Sequence, residues 1–293
     1  MKAAISKLFL ASILAAASAC ATATTTGAPA STPADAANAA NDNLNTVAFV
    51  QTAIEYKATT LALYAHAGAR LDAALSDRAA AARPDLQAPG YEHLPPAVVL
   101  DVDETVLDNS AYQAWLVASG GEFGGETWNA FVSTKSSIAI PGAREFTNAA
   151  ANKGVAVFYV TNRDHVTEAA TADNLDAEGF PLSDAEDRLM TKGEKPEWGS
   201  KKGTRLAEIA KKYRIVMLVG DNFGDFSDAY KGSLAEREAA FEQARAHWGA
   251  DWIVIPNPTY GSWESALFGY DNKLTTEQKR QMKKDALRKW SGE

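Results

Sequence analysis

The chain has 293 residues, with 37 acidic side chains against 29 basic ones and a formal net charge of −8. That length can bury the core of one large α/β domain with an insertion or cap. The acidic balance argues against nucleic acid as the main partner, because such binding is driven by basic residues that displace counterions, and the single cysteine, Cys20, excludes an intramolecular disulfide.

The chain starts MKAAISKLFLASILAAASAC. Lys2 and Lys7 make a basic start, and residues 8–17 are apolar but too short to span a bilayer. Ser18 and Ala19 then lead into Cys20. This pattern resembles a bacterial lipoprotein signal, so residues 1–19 are expected to be removed and Cys20 to carry the lipid that attaches the protein to a membrane. Ala17 stands where a lipobox usually has leucine, which leaves ordinary cleavage near Ala19 as the alternative. Loss of Lys2 and Lys7 takes the mature chain to −10. Residues 20–42 are Ala, Thr, Ser and Pro with little to bury, and read as a flexible tether.

From residue 43 to 76, Leu44, Val47, Val50, Ile54, Leu61 and Tyr64 recur at helical intervals, with Asn41 or Asp42 available as N-cap. A second helix is expected over 70–82, ended by Arg83-Pro84. Residues 97–100, AVVL, form an unbroken apolar run of the kind found in strands buried on both faces. A helix then begins at Ser110, and residues 120–128, GGEFGGETW, read as a glycine-rich loop. Next come an amphipathic helix over 143–153, a strand over 155–160 that ends at Thr161, and a helix over 166–178. A short strand is expected near 188–191, then a lysine-rich stretch opening a helix that runs to about Tyr213. Strands over 215–219 and 252–255 and a charged helix over 275–290 complete the pattern. Strands alternating with helices indicate βαβ units, hence an α/β fold: a Rossmann-like parallel sheet flanked by helices.

The apolar strands end in polar groups of different kinds. The first supplies Asp101 and Asp103, the second Thr161, and a later one Asp221 with Asp225; Lys201 and Lys202 open an intervening helix. Strand ends of a parallel sheet converge, so these groups can surround one ligand. A carboxylate at 101 can attack phosphorus, and Asp103 can protonate the leaving oxygen and then deprotonate water. Asp101, the main-chain carbonyl of Asp103, Asp221 and Asp225 offer hard oxygen ligands suited to Mg²⁺, which offsets repulsion between nucleophile and phosphate. The Thr161 hydroxyl and a lysine ammonium can hold phosphoryl oxygens. Asp108 reads as a loop or cap acceptor, Asn162 and Arg163 as pocket organisers or structural groups, and His165 as a helix-start residue.

AVVLDVDETVLDNSAY, FYVTNRD, SKKGTRLAEI, VGDNFGDF and PNPTYGSWE together resemble the class C acid phosphatases, bacterial lipoprotein phosphatases of the haloacid dehalogenase-like (HAD) superfamily. The resemblance implies a HAD-like domain over 43–293, with a smaller, mostly helical cap contributed by the N-terminal, 110–140 and C-terminal segments. It implies Asp101 as nucleophile, Asp103 as general acid/base, Thr161 and Lys202 as phosphate ligands (Lys201 the alternative), and Asp221 and Asp225 as metal ligands. Tyr112, Trp128 and Tyr260 match aromatic positions that grip the base of a nucleoside 5′-monophosphate. Gly224 stands where the family often has an acid. The leader and Ala21 after the cysteine lead to the expectation of an envelope protein anchored at the outer membrane, on its periplasmic or its surface face. A non-catalytic lipoprotein that binds a ligand, and a phosphotransferase to an acceptor alcohol, are the competing readings.

Overall fold

The computed structural model describes residues 42–183 and 185–292. The leader, Cys20 and all but the last residue of the tether lie outside the described residues.

The chain enters through helix α1 (Leu44–Thr52) and the long helix α2 (Ile54–Ser76). The single helical pattern expected over 43–76 is broken at Ala53, which is extended (ψ 128°); just before it the Thr52 hydroxyl takes the Ala48 carbonyl at 2.6 Å, competing with the helix ladder. The side chain of Asn43 does not cap α1 but donates to the Thr259 carbonyl at 2.9 Å, and Asp42 pairs with Arg280. No second helix follows to residue 82. Arg214 bonds the carbonyls of Ala74, Asp77 and Ala80, which ends α2 and ties it to the sheet.

Strand β1 (Pro96–Leu100) leads to the short strand β2 (Leu107–Asp108), then helices α3 (Ser110–Ser119) and α4 (Gly125–Ser133) and strand β3 (Ile138–Ala139). β2 and β3 make a two-stranded antiparallel sheet. The stretch expected as a loop over 120–128 is a loop only as far as Gly124; Gly125 already opens α4. Helix α5 (Ala143–Asn152) returns to strand β4 (Ala156–Asp164), which runs through Thr161 rather than ending there. Helix α6 (Glu168–Ala177), strand β5 (Leu189–Lys192), helix α7 (Gly203–Ala210) and strand β6 (Arg214–Gly220) follow. Helix α8 (Leu234–Gln243), strand β7 (Trp252–Val254), and helices α9 (Ser262–Leu267) and α10 (Thr276–Ala286) complete the described chain. α8 is an element the apolar pattern did not announce, although Ser233 and Glu236 form a capping box at its start.

The main sheet has the order β5-β4-β1-β6-β7, and every pairing is parallel. Successive side chains of β1 point to opposite faces. Val98 and Leu100 pack with Tyr64, Ala67 and Leu71 of α2 and Phe146 of α5 on one side. Ala97 and Val99 pack with Leu206 and Ile209 of α7 and Phe226 on the other. A strand buried on both faces has no solvated side to which polar residues could alternate, hence the continuous apolar run. Leu100 lies opposite Tyr159 of β4 and Val219 of β6, so Asp101, Thr161 and Asp221 emerge together at the carboxyl edge. Among the described residues no helix is long and apolar enough to cross a membrane.

Candidate active site

Asp101 is the first residue past β1, with its N–H still bonded to the Val219 carbonyl at 3.0 Å. Its carboxylate, 8% exposed, meets the Lys202 ammonium, which also pairs with Asp225 at 2.7 Å. Lys202 is 3% exposed at the head of α7, whereas Lys201 faces solvent. α7 is held there by Arg205, a fully buried guanidinium. It donates to the carbonyls of Thr161, Met190 (3.2 Å) and Gly199 (3.0 Å) and to Asn162 Oδ1 (2.8 Å). Burial brings the Arg205 pKa down to about 10, with Asp101 and Asp225 opposing.

Asp221 follows β6. Asn257 Nδ2 donates to its Oδ2 at 2.8 Å, and the Thr105 hydroxyl lies 3.4 Å from its Oδ1. Asp225 sits one turn later, its Oδ2 accepting the Asn222 N–H at 2.9 Å. Gly220 makes this approach possible: a Cβ there would lie 2.4 Å from the Asp225 side chain.

Asp103, two residues beyond Asp101, turns to the β4 side. Its Oδ1 accepts from Arg163 Nε (2.9 Å) and Asn109 Nδ2 (2.9 Å), and the Thr161 hydroxyl is 3.3 Å from Oδ2. Arg163 is fully buried and also reaches Asn109 Oδ1 and the Thr171 hydroxyl, each at 3.2 Å. Asn162 instead braces the exit of β4 through the Ser200 carbonyl and Arg205. Of the two groups read as pocket organisers or structural residues, Arg163 thus bonds Asp103 directly and Asn162 bonds the loop before α7 and Arg205. Asp108 accepts the Ser110 N–H at 2.7 Å. His165 opens a short turn before α6 against Glu168 at 2.7 Å.

Carboxylate oxygens of Asp101, Asp221 and Asp225 all lie within 4.8 Å of one another. Burial drives the Asp101 pKa up to about 7, with Lys202 opposing and Asp225 and Asp103 adding to the rise. Burial and the charges of Asp225 and Asp101 likewise push Asp221 well above the carboxylate range. Burial would pull Lys202 down, but Asp101 and Asp225 outweigh it and hold the ammonium above its ordinary value. One ammonium against three clustered carboxylates leaves negative charge that a divalent cation would neutralise, and an all-oxygen donor set suits a hard one. The residues present therefore fit a divalent metal ion.

The aromatic residues separate into two places. Tyr112 is 2% exposed, with its ring 5.2 Å from that of Trp128 and its hydroxyl 2.8 Å from that of Thr127. Trp115, Phe123 and Phe131 also pack against Tyr112, and the Arg163 guanidinium lies 5.8 Å from the Trp128 ring. Tyr260, from the segment after β7, directs its hydroxyl to Glu104 Oε2. Glu104 is buried with a left-handed backbone (φ 58°), a conformation that costs a non-glycine residue about 1–2 kcal/mol. Burial, with Asp103 and Asp221 nearby, raises its carboxyl well above the usual range. Asn109, Asn257 and the Glu104–Tyr260 contact are absent from the sequence-based expectations. Each joins loops far apart in the chain and leaves no local pattern.

The model of the HAD superfamily, subfamily IIIB (acid phosphatase), matches residues 6–263. The structure of the class C acid phosphatase from Bacillus anthracis is similar at 31% identity and a TM-score of 0.76, covering 87% of this chain and 100% of that one. The tungstate-bound form from the same organism is similar at 31% identity and a TM-score of 0.74, over 85% and 98% of the two chains. With an edge of the parallel sheet that gathers Asp101, Asp103, Thr161, Lys202, Asp221 and Asp225, the chain belongs to HAD subfamily IIIB and is an acid phosphatase.

Proposed function

We propose that this phosphatase hydrolyses nucleoside 5′-monophosphates with Mg²⁺ through a phosphoryl group carried on Asp101. The observation that supports it most is the grouping of Asp101, Asp221 and Asp225 around Lys202, with Asp103 set to one side against Arg163, Asn109 and Thr161. An Asp101 oxygen attacks phosphorus and forms the new P–O bond while the ester P–O bond breaks. Asp103 gives its proton to the departing oxygen. Asp103 then takes a proton from water, whose oxygen attacks phosphorus, releasing phosphate and restoring the Asp101 carboxylate. Lys202 and the Thr161 hydroxyl hold the non-bridging oxygens, and substrate phosphate replaces the carboxylates as the partner of the ammonium. Asp101, the Asp103 carbonyl, Asp221 and Asp225 would hold Mg²⁺, which would supply positive charge that makes attack by an anion on a dianion feasible.

Selectivity for nucleotides rests on Trp128 and Tyr260, which are only half-buried. Tyr112 acts by bracing Trp128, since its own ring is covered. The helices at 110–140, with the N- and C-terminal segments, serve as the cap over this region. Envelope localisation through a lipid on Cys20, at the outer membrane, is the reading that the leader and the tether favour.

The test is phosphate release by the full-length protein from a panel of nucleoside monophosphates and p-nitrophenyl phosphate, with Mg²⁺ and with EDTA. The expected result is Mg²⁺-restored release with higher kcat/KM for the nucleotides. Equal kcat/KM across the panel would contradict the nucleotide assignment.

A further inference from the structure

The phosphoryl-transfer steps use Asp101 and Asp103 but have no role for the third acidic residue of the same loop. Glu104 is 5% exposed and left-handed at φ 58°. A backbone of that kind persists in a non-glycine residue only where its surroundings over-determine it, and such residues concentrate at functional sites. Asparagine tolerates this conformation better and would close the same turn. A buried carboxyl there is costly unless its oxygens are used.

Both oxygens are used. Oε1 accepts the Asn109 N–H at 3.0 Å, at the head of α3, and Oε2 accepts the Tyr260 hydroxyl from 156 residues away. Asn109 donates from Nδ2 to Asp103 Oδ1, and its Oδ1 accepts from Arg163 and, at 2.6 Å, from the Ser137 hydroxyl. The backbone beside Tyr260 is braced independently. Thr259 donates twice to Asn257, the residue that holds Asp221, and a Cβ on Gly261 would lie 2.7 Å from Asn222 Nδ2. With its backbone fixed on the β6 side and its hydroxyl fixed on the β1 side, the Tyr260 ring cannot swing without losing its bond to Glu104.

The geometry points to Glu104 as a positioning residue for substrate selection: by holding the Tyr260 hydroxyl, it sets the place where that ring meets the nucleoside. This rests on the reading above that Tyr260 contacts the nucleoside. A ring held at both ends contributes contact area at little entropic cost on binding, whereas a released ring must be ordered by the substrate. The effect of releasing the ring is greatest on substrates that reach it.

The experiment compares kcat and KM of the full-length, Mg²⁺-loaded protein for a nucleoside monophosphate and for glycerol phosphate, which has no ring to present. Tyr260→Phe and Glu104→Asn are each expected to raise the nucleotide KM by about tenfold, the scale of one lost hydrogen bond. The KM for glycerol phosphate should rise less than that for the nucleotide, so that the preference for the nucleotide falls. The double variant should be no worse than Glu104→Asn alone, because Tyr260→Phe removes a contact that Glu104→Asn has already lost. Glu104→Gln, which keeps the reach and one oxygen, should restore most of the nucleotide preference. If Tyr260→Ala abolishes the preference while Tyr260→Phe and Glu104→Asn retain it, the hold by Glu104 is wrong and the nucleoside contact stands. If Tyr260→Ala also retains the preference, the nucleoside contact itself is wrong and the inference falls with it. Tyr260→Phe decides the matter even if Glu104→Asn does not fold.

Discussion

Asp103 receives three donors, from Arg163, Asn109 and Thr161, and none of them is its neighbour in sequence. Such a carboxylate is held in one orientation, which suits the proposed role of an acid that first donates to a leaving oxygen and then accepts from water. Asp103→Asn keeps the shape and most of the hydrogen bonds but cannot exchange a proton. Turnover is expected to fall by roughly 10²- to 10⁴-fold while vanadate or phosphate still binds, as steady-state kinetics and inhibition would read; near-normal turnover would remove Asp103 from the reaction. The acidic members of this set were legible because carboxylates at the end of an apolar strand demand compensation. The choice between Lys201 and Lys202 was not, since adjacent lysines before a helix differ only in which one the helix rotates inward. Asn109 and Asn257 were illegible for a related reason. An amide that serves a carboxylate, six residues back for Asn109 and 36 back for Asn257, has no chemistry of its own to advertise it.

At the level of elements, the strands were the most legible part. β1 and β6 read as uninterrupted apolar runs because helices cover both faces of the sheet. Helix limits were less legible where tertiary contacts set them. Residues 77–82 have a composition compatible with helix, yet Arg214 from β6 takes the carbonyls that a continuing helix would use. The glycines of 120–125 suggested a loop, but Gly124 is the extended residue before α4, and packing of Trp128 and Phe131 against Tyr112 sustains the helix after it. Gly142 shows the converse, a glycine with a definite purpose. Its φ is +93°, and a Cβ there would come within 2.9 Å of Tyr64 Cβ, so the turn into α5 is what lets α5 lie close on α2. That contact buries Tyr64 against Phe146, with the Tyr64 hydroxyl bonding the Thr105 carbonyl at 2.7 Å. The long amino-terminal helix thereby supports the turn that carries Asp101 and Asp103.

For the molecule as a whole, the site is a concentration of charge placed against the stability of the fold. Asp101, with a pKa near 7, and Asp221 and Glu104, both raised well above the ordinary range, bind more protons folded than unfolded. Their contribution to stability is full below the ordinary carboxyl range and is lost as pH rises through the folded-state values. The metal-free protein should therefore lose stability between about pH 4 and about pH 7. A divalent cation among Asp101, Asp221 and Asp225 relieves the repulsion most where those groups are ionised. The gain in Tm on adding Mg²⁺ should accordingly be larger near pH 7 than near pH 5, and a thermal-shift series in which it is larger at the lower pH would contradict this balance.

The most direct measurement of the central claim is phosphate release by the full-length protein beside its Asp101→Asn variant, each with Mg²⁺ and with EDTA. Release should need the metal and fall by at least about a thousandfold when the Asp101 oxygen can no longer attack. Metal-dependent release that survives in a folded Asp101→Asn protein would contradict it, and would require that water attack the substrate directly.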